Sequence, residues 1–166
     1  MFVSDSKQVT VRSCVFQDLP GYSSRALDFY NTEQSIAEDC LFGDNLRHLR
    51  ALDISKYSKF NIVWNNRFVG VNGSAEVWVF IVDAHDNELY NNVFENPDGR
   101  SMQYGVWFYH GGDSYNNTAH DNTMIFEHGS TADYGFFMDG SDEHVCESNK
   151  ISGSVKLTDG EIDHSC

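Results

Sequence analysis

A chain of 166 residues with 40% hydrophobic residues, among them 12 Phe, 8 Tyr and 3 Trp, can bury one substantial core and is not a disordered tail. Its formal net charge of −14 argues against a nucleic-acid partner, which would demand a basic stripe to displace counterions. No run reaches the roughly 18 apolar residues of a membrane helix, so membrane insertion is not expected, and Met1 to Lys7 lacks the basic and apolar regions of a signal peptide.

From there the chain repeats itself. Cys14-Val15-Phe16, Cys40-Leu41-Phe42, Asn66-Arg67-Phe68 and Asn92-Val93-Phe94 recur with a period of 26 residues, and Asn122-Thr123-Met124 and Asn149-Lys150-Ile151 follow after steps of 30 and 27. A fixed period of this length marks a solenoid, in which each turn leaves an apolar face that only the next turn can cover. Ahead of each Cys/Asn corner runs a short alternating segment. These are Val9-x-Val11, Ser35-x-Ala37, Asn61-x-Val63, Asn87-x-Leu89, Asn117-x-Ala119 and His144-x-Cys146, each predicting a strand with one buried face. Phe16, Phe42, Phe68 and Phe94 are expected to stack inside, and Asn66, Asn92, Asn122 and Asn149 to form a corner ladder, since each amide both donates and accepts.

A second strand set opens each turn: Arg25 to Tyr30, Arg50 to Ser55, Trp78 to Asp83, Gly105 to His110 and Gly135 to Gly140. Leu27, Leu52, Val79, Val106 and Phe136 are placed inward, together with Phe29, Ile54, Ile81, Phe108 and Met138; the turn holding Val79 is open to a one-residue slip that would reverse its faces. Turn formers place loops near Val71 to Ser74, Asn96 to Arg100 and Gly129 to Asp133. Cys14 and Cys40 share a column, about 4.8 Å apart by strand spacing, and parallel in-register side chains favour two stacked thiols over a bridge. Cys146 reads as core and Cys166 as terminal.

These features together resemble the right-handed parallel β-helix superfamily, the pectin-lyase-like fold, and Asn65-Asn66-Arg67-Phe68 and Asn91-Asn92-Val93-Phe94 look like its asparagine-ladder turns. The resemblance covers residues 8–157. It implies an all-β, single-stranded right-handed solenoid of about six turns in one domain over residues 1–166, and the entry into the repeat within a few residues, with no capping segment, suggests a processed form or a piece of a longer protein. The fold hosts polysaccharide lyases, hydrolases, epimerases and non-catalytic surface proteins, so it does not choose a chemistry. Polygalacturonase and mannuronan-epimerase motifs are missing.

The outward columns of the first strands suggest a binding strip. Asp28, Asp53, Phe80, Trp107 and Phe137 form one column; Tyr30, Ser55, Val82, Tyr109 and Asp139 form the next. Aromatic side chains in a continuous outward patch suit sugar faces, unless loops fold over them. The expectation is a carbohydrate-active protein acting on or binding a polysaccharide, as a lyase or hydrolase, or else a non-catalytic glycan-binding or structural segment. Asp28, Tyr30, Asp53, Phe80, Trp107 and Phe137 would bind substrate. Asp83, Tyr109, His110 and Asp139 would carry catalysis: His110 or Tyr109 transfers the proton and the carboxylates orient or act as acid and base. Asp83 and Asp139 lie two turns apart, about 9.6 Å, near the upper edge of the inverting-glycosidase window.

Smaller features complete the reading. Ala84-His85-Asp86-Asn87 and Ala119-His120-Asp121-Asn122 are identical tetrapeptides in different columns, so no metal is assigned to them; no cofactor is expected, calcium at the oxygen-rich Asp139 to Glu143 segment excepted, although EF-hand spacing is missing. Arg47, Arg50, Lys56, Lys59 and Arg67 concentrate positive charge on one turn. The sequons Asn72-Gly73-Ser74 and Asn116-Asn117-Thr118 suit a secreted chain. Exposed strand edges at the solenoid ends imply a homo-oligomer or contacts with the rest of a longer chain, in an extracellular or cell-surface setting.

Overall fold

Parallel pairing at a constant register organises the whole molecule. In a computed structural model, which describes residues 1–17, 25–43, 50–70, 77–97, 101–109, 113–127, 129–138, 144–153 and 156–157, the strands form three parallel sheets and the described residues contain no helix. The first sheet stacks Phe2–Ser4, Arg25–Tyr30, Arg50–Ser55, Val77–Val82, Ser101–Tyr109, Thr131–Met138 and Lys156–Leu157 in that order. The second stacks Thr10–Arg12, Ile36–Glu38, Ile62–Trp64, Glu88–Tyr90, Thr118–His120 and Val145–Glu147. In the third lie Val15–Phe16, Leu41–Phe42, Arg67–Val69, Val93–Asn96, Thr123–Phe126 and Lys150–Gly153. Each strand pairs with its counterpart one repeat away, so every turn of chain contributes one rung to each sheet.

The expected inner columns hold. Leu27 pairs with Leu52, Val79 with Leu52 and Val106, and Val106 with Phe136, without a slip in the turn of Val79. Phe16, Phe42, Phe68 and Phe94 stack with ring centroids 4.6–4.8 Å apart. Met124 and Ile151 continue that column, and the narrower packing there depends on glycine: a Cβ on Gly105 would lie 2.7 Å from Met124 Cε and 2.4 Å from the Gly135 carbonyl oxygen. Strand alternation breaks at one place in three successive rungs of the first sheet. Ala26 and Leu27, Ala51 and Leu52, and Trp78 and Val79 are neighbours that both belong to the core. Trp78, which simple alternation would turn outward, packs instead on Phe94 and Phe126.

Corners explain much of the Asn and Asp content. Asn66, Asn92, Asn122 and Asn149 form the expected ladder: each of the first three donates from Nδ2 to the next Asn Oδ1 at 2.9–3.1 Å, and that same oxygen accepts the backbone N–H of the preceding rung. A second ladder, which the alternating pattern concealed, runs five residues earlier. There the Ser35 and Asn61 backbones donate to Asn61 and Asn87 side chains, Asn87 to Asn117, and Asn117 N–H to His144 Nδ1. Between the ladders the chain turns through left-handed residues, among them Asp39 (φ 54°), Asn65 (φ 53°), Asn91 (φ 52°) and Asp121 (φ 54°), the conformation that Asn and Asp tolerate best after glycine.

Three expectations are corrected. Thr131–Met138 is a strand, so Thr131, Ala132 and Asp133 do not belong to a loop; pairing with Ser101–Tyr109 outweighs their turn-forming composition. Cys146 is buried, as expected, but it is also disulfide-bonded, whereas Cys14 and Cys40 are free thiols. Arg50 does not join an open basic patch, because it pairs with Asp53. The loop at residues 71–74, Arg47, the Asn72 sequon, the Asp139 to Glu143 segment and Cys166 lie outside the described residues.

Replacing Asn92 with Ala strips partners from the Asn66 N–H, the Asn66 amide and the Val63 carbonyl together. The Asn66 amide keeps the Ala37 and Trp64 carbonyls, so the group left unsatisfied is the Asn66 N–H, and the loss is expected to be about 1–3 kcal/mol. Urea unfolding of Asn92→Ala checks this, with Val15→Ala, at an exposed strand position, expected to stay near wild type.

Candidate functional site

Three outward columns of the first sheet carry the candidate site, and its two halves differ in chemistry. Register aligns Arg25, Arg50, Val77, Tyr104 and Tyr134 in one column and Asp28, Asp53, Phe80, Trp107 and Phe137 in the next. Tyr30, Ser55, Val82 and Tyr109 form the third. Early turns therefore offer charges and later turns offer rings.

The charged half is a closed ion cluster and not the open substrate surface expected from the strand pattern. Asp53 is 0% exposed and Asp28 3%. Arg25 Nη1 donates to Asp28 Oδ2 at 2.6 Å while its Nε lies 2.6 Å from Asp53 Oδ2, and Arg50 Nη1 reaches the same Asp53 oxygen at 3.1 Å. Two carboxylates stacked on adjacent rungs would repel, and Arg25 bridging both is what makes the column tolerable. The cluster is not fully satisfied: Asp53 Oδ1 is buried without a hydrogen-bond partner. Burial pushes the Asp53 carboxyl up to about 6, and the Arg50 and Arg25 guanidiniums pull it only partway back. Arg50 also lies over the Phe80 ring, 3.7 Å from its centroid, which joins the ion cluster to the aromatic half.

That half is a continuous cluster. Trp107 contacts Phe80 (4.9 Å between centroids), Tyr104 (4.5 Å), Tyr109 (5.3 Å) and Phe137 (5.9 Å), and Tyr134 joins through Tyr104 (5.6 Å) and Phe137 (4.6 Å). Phe80 is buried, Trp107 and Phe137 are half-buried, and Tyr109 is exposed at 36%. Trp107 Nε1 is buried with no hydrogen-bond partner. Tyr104 and Tyr134 escaped the sequence reading because they precede the break in alternation, which returns them to the outer face.

Of the expected catalytic set, Tyr109 stands at the rim of this cluster and pairs through its backbone with Val82, the residue before Asp83. Asp83 is a half-buried corner residue with φ 49°; its carbonyl accepts the Tyr57 N–H. Left-handed Asp5 and Asn31 end the corresponding strands of earlier turns, so Asp83 has a backbone role whatever its chemistry. His110 and Asp139 lie outside the described residues. Tyr30 is half-buried and packs against Phe2 with centroids 5.7 Å apart, at the end of the sheet away from the aromatic cluster.

Two other surface features fall outside the strip. The second sheet carries a ring stack, Trp64 on Tyr90 (5.9 Å) and Tyr90 on His120 (5.2 Å, 4° between planes). Burial pulls the His120 pKa down, but hydrogen bonds to Asp121 and Glu88 outweigh it and leave the pKa raised. His85 stacks instead on Tyr115, so the two identical tetrapeptides do occupy different columns; each places its His beside the following Asp, at 2.7 and 2.8 Å. The other feature is a cavity of about 280 Å³ at the first corner, lined by Asp5, Ser6, Lys7, Asn31, Thr32, Glu33, Tyr57 and Lys59, where Lys7 and Glu33 already pair at 2.6 Å.

Stacked rungs, two Asn ladders and left-handed corners describe one known family. The family model for the right-handed β-helix region matches residues 1–124. This chain belongs to the right-handed β-helix family. No match arises among curated proteins or among solved structures. Family membership settles the handed solenoid and leaves the chemistry of the strip to its own residues.

The raised carboxyl yields a measurable pH effect. Asp53 holds its proton to about 6 when folded, against an ordinary 3.8, so its contribution to stability is fully present below 3.8 and is lost as pH rises through 6. Asp53→Asn cannot ionise. Its melting temperature relative to wild type should therefore climb between about pH 4 and 6, roughly several degrees, as followed by calorimetry at fixed ionic strength. A flat difference would mean that the guanidiniums fully compensate the buried charge.

Proposed function

We propose that this protein is carbohydrate-active and binds an extended, neutral polysaccharide along the outer face of the first sheet, over its later turns. The observation that carries this reading is the aromatic cluster of Phe80, Tyr104, Trp107, Tyr109, Tyr134 and Phe137, with Tyr109 exposed at its edge. A solenoid flank needs no such cluster for its own core, which is already filled on the other face of the same strands.

Charge selects among polysaccharides. Among the described residues of the three outer columns the only cations are Arg25 and Arg50, and both are engaged by Asp28 and Asp53. A chain of net charge −14 whose described residues in these columns hold no unpaired cation offers a uronate polymer little there to neutralise it, which weighs against β-elimination. Glycoside hydrolysis remains a second reading, supported by the nearness of Asp83 to the Tyr109 rung. Its proton-transfer residue would be His110 or Tyr109, with Asp83 and Asp139 as carboxylates. A polysaccharide partner implies work at the cell surface or outside the cell.

Titration of the protein against neutral and uronate polysaccharides, by calorimetry and affinity electrophoresis, tests the proposal. Binding to a neutral polymer is expected, with Tyr109→Ala and Trp107→Ala each weakening it about tenfold, the worth of one ring contact of about 1.4 kcal/mol. Tyr109→Ala is the cleaner variant, because its exposed ring contributes least to folding. Binding confined to uronates, or unaltered in Tyr109→Ala, overturns the reading. Release of reducing sugar, abolished by Asp83→Asn, would add hydrolysis to it.

A further inference from the structure

The corner ladder changes chemistry at its first two rungs. Where Asn66 onward supplies amides, Cys40 and Cys14 occupy the same column, with Cys40 N–H donating to Asn66 Oδ1 at 2.9 Å. Their rungs are locked in register: Arg12 pairs with Glu38, Val15 with Leu41, and Leu41 N–H donates to the Cys14 carbonyl at 2.9 Å. Both thiols are free. Their surroundings differ. Cys14 is half-exposed, whereas Cys40 is buried, its thiol held between the Glu38 carbonyl at 3.2 Å and the Val11 carbonyl at 3.6 Å.

We propose that Cys14 and Cys40 are a redox-modification site, a dithiol that closes reversibly into a cross-rung disulfide on reaction with low-molecular-weight disulfides such as oxidised glutathione. Adjacent rungs put the two Cα atoms about 4.8 Å apart, inside the range that a disulfide spans. The same register holds the Cβ atoms near that spacing, beyond their usual separation of about 3.8 Å in a bridge, so closure requires the rungs to shift and the bond formed is of the readily reduced kind.

Exposure assigns the order of events. The Cys14 thiolate attacks one sulfur of the glutathione disulfide, breaking its S–S bond and releasing one glutathione thiolate. Cys40 then loses its proton and attacks the Cys14 sulfur of the mixed disulfide, forming the Cys14–Cys40 bond and expelling the second glutathione. Two protein thiols are oxidised, one glutathione disulfide is reduced to two thiols, and the two protons pass to those thiols through solvent. Burial raises the Cys40 pKa, which suits the resolving position and makes the second step the slower one.

Incubation of the folded full chain with oxidised glutathione, followed by denaturation, alkylation and peptide mass mapping, tests this. Wild type should lose both alkylatable thiols without retaining glutathione, show a Cys14–Cys40 linked peptide, and recover both thiols with dithiothreitol. Cys40→Ser should stop at one glutathione on Cys14, and Cys14→Ser should stay unmodified. Cys146, already disulfide-bonded, provides the internal control. Circular dichroism of both variants separates misfolding from loss of reactivity. A stable glutathione adduct on wild-type Cys14, two thiols still alkylatable, or a crosslink to any other cysteine overturns the proposal.

Discussion

Rung-to-rung satisfaction of the inward corner amides is the constraint on which this molecule depends. A solenoid corner must bend the backbone away from its sheet while keeping its N–H and C=O groups inside, where each unpaired group is costly. One Asn solves both ends of that problem, since its oxygen receives the N–H of the neighbouring rung and its amide returns to carbonyls. Asn92 does so with Asn66, Val63 and Tyr90 at once. The bonds hold across an uneven repeat: Asn66 donates to Asn92 over 26 residues at 3.1 Å, and Asn92 to Asn122 over 30 residues at 3.0 Å. Length can therefore vary only where no ladder passes.

That restriction points to the candidate site. Val82 pairs with Tyr109 over 27 residues, yet His85 pairs with Tyr115 over 30. The stretch from Tyr109 to Tyr115 is thus three residues longer in sequence than that from Val82 to His85. Variation in a solenoid is tolerated at the edges of its faces, and function is commonly built there. The ion cluster below contributes to the same arrangement, because Arg50 holds the face of Phe80 and so fixes the near end of the ring cluster.

The inner half of the structure was legible because burial repeats with the chain: Phe42, Phe68 and Phe94 announce one column by identity and spacing together. Outer residues carry no such rule. Asp28 and Asp53 read as exposed because strand alternation places them outward, and only Arg25 and Arg50, three residues earlier on the same strands, allow them to be buried. Trp78 is buried for the complementary reason, a local break in alternation that turns two consecutive side chains inward. The second Asn ladder was hidden in plain view. Asn61, Asn87 and Asn117 sit at inward positions of an alternating pattern, where alternation alone does not show that a polar residue meets a hydrogen-bonding requirement.

Ring orientation separates the two aromatic surfaces of this protein. Along the second sheet Trp64, Tyr90 and His120 lie nearly parallel on successive rungs, so each turns its faces toward its neighbours and its edge toward solvent. Such a stack stabilises the rungs it spans and offers little to a sugar, whose C–H bonds need the face of a ring. On the first sheet Tyr104 still stacks on Tyr134 at 10°, whereas Trp107 meets Tyr109 at 88° and Phe80 at 67°, so the parallel stack does not extend to the Tyr109 rim. Aromatic content alone would favour neither surface. Trp107 tilted against the exposed Tyr109 is the feature of the first sheet that supports the proposed binding face over the second.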